Sequence, residues 1–73
     1  MTEMMVKSEI TGKVWAIEAK IGAGLSEEDS IIILESMKME IPIVAPRDGT
    51  LKKILVTEGE SVVEGQEIAI MEV

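Results

Sequence analysis

Apolar residues along this chain recur at short, β-like spacings, and the spacing changes in the same way twice. Val14, Ile17 and Ala19 step by three and then by two, and Leu51, Ile54 and Val56 repeat that step. A one-residue slip in an alternating pattern is what a β-bulge or a sharp twist produces. Sliding the sequence by 37 residues without a gap superposes residues 6–35 on 43–72. Gly12 falls on Gly49, Ile17 on Ile54, Gly22 on Gly59, Glu27 on Glu64, Ile31 on Ile68, Ile33 on Ile70 and Glu35 on Glu72, while Val14 meets Leu51 and Leu25 meets Val62. Each half therefore reads as an extended segment, a glycine turn, a strand, a second glycine turn, a short connection and a last strand.

Gly22 and Gly59 open turns before Leu25 and Val62, and positive φ is the physical reason for glycine there. A polar corner, Glu27-Glu28-Asp29 or Glu64-Gly65-Gln66, precedes the last strand of each half and reads as a solvated turn. Pro42 and Pro46 flank the segment around Ile43 and Val44, which suits an edge or short strand, because proline cannot donate to a ladder. Two similar small sheets packed face to face satisfy this pattern. The halves are joined by residues 36–42, and under a pseudo-twofold that joint lies opposite the chain ends. Lys38 in the joint is thus expected far from both termini.

A chain of 73 residues forms one domain, residues 1–73, and buries only roughly 60% of the surface its unfolded form exposes. A deep active site has little room. The net charge of -7 would repel nucleic acid, and 47% apolar residues argue against a disordered tail. There is no cysteine for a disulfide framework or thiolate metal site. Nowhere do eighteen apolar residues run together, and the start, Met1-Thr2-Glu3-Met4-Met5-Val6, lacks a basic region before a long apolar run. The expectation is a cytoplasmic protein without a membrane partner. Met1, Met4 and Met5 are expected to pack over the barrel end or fray.

Glu35-Ser36-Met37-Lys38-Met39-Glu40 is the candidate functional segment, with one lysine between two methionines and then two glutamates. A plain alternative is that Met37 and Met39 alternate into a core and Lys38 is an ordinary surface lysine. The context argues against it, because Ser36 before Met37, the flanking glutamates, the midpoint location and the downstream Ala45-Pro46, Asp48-Gly49 and Glu58-Gly59 pairs occur together. With these features the chain resembles the biotinyl/lipoyl attachment family, and within it a small biotin carboxyl carrier, from about residue 6 to 73. The resemblance implies an all-β flattened barrel of two four-stranded antiparallel sheets with Lys38 at a hairpin tip. It also implies that biotin protein ligase joins biotin to Lys38 through an amide, with Glu35, Ser36, Met37, Met39 and Glu40 as flanking ligase-recognition residues. The arm would then carry a carboxyl group between biotin carboxylase and carboxyltransferase.

A tight turn through Met37-Lys38 breaks a local rule, since the favoured two-residue turns need positive φ at both central positions and prefer Asn-Gly or Asp-Gly. Such mismatches gather where function demands them. Two departures from the biotinyl pattern keep a second reading open. Ser36 stands where alanine is usual, and the gapless repeat leaves no room for the protruding loop of some bacterial biotin carriers. The alternatives are a lipoyl carrier modified on Lys38 by a lipoyl ligase, with lipoate as cofactor, and an unmodified interaction module of the same fold. Lipoyl domains usually show Asp-Lys-Ala at this place, and such adaptor modules generally lack the lysine.

Other candidates are weaker. Trp15 is the one aromatic residue, and its repeat partner is Lys52, so partial exposure is expected, with a plain exposed strand residue as the first reading and a partner contact as the second. A catalytic constellation is missing, with no histidine, cysteine or tyrosine and no metal-ligand spacing among the carboxylates. The expectation is a carrier that other enzymes act upon.

Overall fold

The computed structural model describes residues 2–73, which form eight strands and no helix. They are β1 (Glu3–Lys7), β2 (Gly12–Ile17), β3 (Gly24–Leu25), β4 (Ser30–Ser36), β5 (Met39–Val44), β6 (Gly49–Ile54), β7 (Ser61–Val62) and β8 (Glu67–Glu72). Two four-stranded sheets result, ordered β1-β8-β6-β3 and β5-β4-β2-β7, with every pairing antiparallel. The fold is the expected all-β barrel of two small sheets. An offset of 37 relates β1 to β5, β2 to β6, β3 to β7 and β4 to β8, so each sheet maps onto the other. Each sheet takes two strands from either half, an exchange that the repeat alone does not reveal.

The slip in apolar spacing is a pair of bulges. Pairing shifts between Val14 and Ala16 on β2 and between Leu51 and Lys53 on β6, leaving Trp15 and Lys52 as the extra residues. A second equivalent pair lies on the partner strands, where Ile31 and Ile68 are skipped in the ladders to β5 and β1. A bulge lets two consecutive residues face inward. Ile31 with Ile32, and Ile68 with Ala69, are accordingly all buried. With Val14, Leu34, Leu51, Val62 and Met71 they form the centre of the core. Each such large side chain contributes roughly 1.5–3 kcal/mol through burial.

Turns obey the same symmetry. Gly22 and Gly59 have φ of 92° and 89°, and their N–H groups donate to the carbonyls of Leu51 (2.7 Å) and Val14 (2.8 Å). The polar corners are more than solvated turns. Asp29 Oδ2 accepts from the Ser26 N–H at 2.9 Å, and Gln66 Oε1 accepts from the Val63 N–H at 3.1 Å. Inside them Glu28 holds φ of 75° where its counterpart Gly65 holds 87°.

Two expectations need correction. Pro42 lies within β5, opposite Ile33, rather than before it; β5 is an edge strand, where a missing N–H costs no ladder bond. Met4 and Met5 neither cover the barrel end nor fray, because they pair with Met71 and Ile70 in β1. Met1 lies outside the described residues.

The molecule measures 36 × 17 × 17 Å. β2 begins beside the β4–β5 connection, with Lys13 opposite Glu35, and the following chain reaches β3, whose Leu25 pairs with Gly49. Gly49 starts β6 next to Glu72, where Thr2 and Val73 exchange backbone hydrogen bonds of 3.2 and 2.8 Å. The β4–β5 turn and the paired ends thus stand at opposite ends of the barrel.

Candidate functional site

Ser36 and Met39 close the β4–β5 ladder, leaving Met37 and Lys38 as the two turn residues. Their φ values are 53° and 65°, so both central positions are left-handed, as the turns that match strand twist require. Neither residue suits that backbone, and the rule that the sequence breaks is broken in the fold. Nothing apolar covers the tip: Met37 is 91% exposed and Met39 61%. The alternative in which both methionines enter a core is therefore overturned. Lys38, Glu35 and Glu40 are also exposed, and Ser36 is half-buried.

The strand leading into the tip is well anchored. β4 buries Ile31, Ile32 and Leu34, and Gly12 on β2 lies so close that an added Cβ would sit 2.8 Å from the Glu35 carbonyl oxygen. Only glycine admits that approach. The tip is thus a two-residue turn carrying an exposed primary amine on a four-carbon stem, a group able to act as a nucleophile.

Lys13, Glu35 and Glu40 form a row across β2, β4 and β5, each directly opposite the next. Beside it a shallow cleft of about 240 Å³ is lined by Lys13, Val14, Trp15, Glu35 and Gly59. Trp15 is 54% exposed. Sequence reasoning expected the exposed indole but missed Lys13 and the cleft. The signal that would have found them is the bulge: Trp15 sits at the slip, and a bulge re-aims the side chain at it.

The equivalent place in the other sheet is filled. Lys52, the counterpart of Trp15, pairs with Glu3 and stands 3.9 Å from Glu72. The hydrogen bond and charge of Lys52 hold the Glu3 carboxyl below its ordinary value of 4.5, and Glu3 in turn raises the Lys52 ammonium above 10.5. Glu3 and Glu72 are the counterparts of Glu40 and Glu35.

Comparison with known proteins agrees with this geometry. The chain is 44% identical over 62 residues to the biotin/lipoyl attachment protein of Bacillus subtilis (strain 168), covering 85% of each. It is 35% identical to the biotinylated protein TB7.3 homolog of Mycobacterium leprae (strain TN), covering 90% of this chain and 93% of that one. Among solved structures, the urea carboxylase of Kluyveromyces lactis superposes with a TM-score of 0.93 at 32% identity, over 99% of this chain and 6% of that one. The profile of the biotin–lipoyl family, described as "Biotin-requiring enzyme", matches residues 2–71, and the chain belongs to that family of biotin and lipoyl attachment domains.

Proposed function

We propose that this protein is a biotin carboxyl carrier and that Lys38 is its attachment residue. The observation that carries the reading is the exposed Met37-Lys38-Met39 segment held on a turn that its residues would not choose. In the reaction Lys38 Nζ, after giving up a proton, attacks the carbonyl carbon of biotinyl-adenylate on biotin protein ligase; a C–N amide bond forms and adenylate leaves. Met37 and Met39 supply adaptable thioether surface to the ligase, and Glu35, Ser36 and Glu40 complete the recognised segment. Biotin, once attached, supplies the carboxyl-carrying chemistry, and the protein supplies reach and orientation between a cytoplasmic biotin carboxylase and its carboxyltransferase. Paired ends at the far side of a 36 Å barrel favour this use, because a tether there leaves the tip free. The protein is a ligase's substrate in this reading and performs no chemistry of its own.

A lipoyl carrier is the second reading. The Bacillus subtilis relative, named for both cofactors, favours it, as does the gapless repeat, which leaves no room for the protruding loop of some bacterial biotin carriers. Intact mass and peptide mapping after co-expression with biotin protein ligase, and separately with lipoyl ligase, decide between them. A single biotinyl adduct on Lys38, absent from Lys38→Ala, is the expected result. The variant should fold like the parent, since an exposed turn residue changes stability by less than about 0.5 kcal/mol. An adduct that persists in Lys38→Ala overturns the site, and a lipoyl adduct alone replaces the cofactor.

A further inference from the structure

We infer that Trp15, Glu35 and Glu40 form a seat for a cationic side chain, an arginine above all, presented by a protein that works on Lys38. The molecule contains its own template for this seat. At the equivalent bulge, Lys52 lies against Glu3 and Glu72, so that place is closed by an internal cation. An offset of 37 converts Glu3, Glu72 and Lys52 into Glu40, Glu35 and Trp15. Both carboxylates are retained, the Lys52 ammonium is replaced by an exposed indole, and Lys13 takes the place of Thr50 opposite Glu35. Among the described residues neither Glu35 nor Glu40 has an ion pair, although Lys13 stands across from Glu35.

Replacing an ammonium by an aromatic ring beside two carboxylates turns a satisfied ion pair into a receptor for one. A guanidinium can stack on the indole face while its N–H groups donate to a carboxylate. The cleft of about 240 Å³ lined by Lys13, Val14, Trp15, Glu35 and Gly59 gives it room beside Trp15 and Glu35, and Glu40 stands outside that lining, opposite Glu35 on β5. Glu35 lies three residues from Lys38, so a partner engaged here also holds the tip. That the partner is an enzyme acting on Lys38 rests on the carrier reading; the cation seat does not.

Trp15, the one tryptophan, reports on the seat directly. The indole Nε1–H resonance is followed by NMR while N-acetyl-arginine amide is added at constant ionic strength, with the neutral citrulline analogue as control. A saturable shift with the arginine compound alone is expected, lost in E35Q/E40Q and retained in the symmetric control E3Q/E72Q. Trp15→Lys should rebuild the closed twin, and modification of Lys38 in that variant should show a raised KM with unchanged kcat. No shift in the parent chain, an equal shift with citrulline, or a shift surviving in E35Q/E40Q overturns the seat. The titration does not depend on whether Lys38 accepts biotin.

Discussion

Met37 and Lys38 hold a backbone conformation that their own side chains disfavour. A left-handed backbone disfavours ordinary L side chains by roughly 1–2 kcal/mol each, and at φ of 53° and 65° both residues carry this strain. Met37 is too exposed to recover it through packing. Replacing the pair by Asn-Gly should therefore stabilise the domain by about 1–2 kcal/mol, the gain from relieved strain being partly offset by glycine's entropy. The same variant should accept no cofactor. Urea denaturation beside the mass measurement checks both halves, and a less stable variant would remove the strain account. This turn was legible in advance because the family resemblance placed it and glycine rules exposed the mismatch. Glu28 was not. Glutamate gives no local sign of a positive φ, and only its register with Gly65 hints at one.

At the level of strands, the bulges could be read and the pairings could not. Val14 to Ile17 and Leu51 to Ile54 each span one residue too many for alternation, and the extra residues are Trp15 and Lys52. A repeat states which segments are equivalent, yet it does not say which neighbour each will pair with. The exchange of β1 and β3 into the sheet of β6 and β8 is set by closing the barrel. Lys52 ties that sheet together by joining Glu3 on β1 to Glu72 on β8. Glu3's carboxyl is held below 4.5, so its contribution is present above that pH and is lost as pH falls through the depressed value. Lys52 is raised above 10.5, and its share is lost as pH rises through the raised value. Glu3→Gln should accordingly lower the melting temperature slightly at neutral pH, and the difference from the parent should vanish in strong acid and strong alkali. A difference that persists unchanged at both extremes would mean that the ion pair is not its source. Both partners are solvent-exposed, so salt should shrink the effect as well.

Across the whole molecule the pseudo-twofold relates the tip to the chain ends. Thr2 and Val73 are the counterparts of Met39 and Ser36, and they exchange the same pair of backbone bonds that closes the tip. The ends therefore resemble a hairpin whose turn is absent. Linking Val73 to Thr2 through Asn-Gly, with Met1 removed, should restore that turn without moving either strand, because Asn-Gly satisfies the positive φ that Met37 and Lys38 endure. Closing a loop of this length removes unfolded-state entropy worth about 4 kcal/mol at most, and a gain of about 2–4 kcal/mol over the linear chain is expected by urea titration. Lys38, at the other end of the barrel, should be modified at an unchanged rate. A stabilised circle with slowed modification would show that the two ends communicate through the sheets. A circle no more stable than the linear chain would mean that the ends are not held as a hairpin, and the symmetry that places Lys38 opposite them would lose its physical basis.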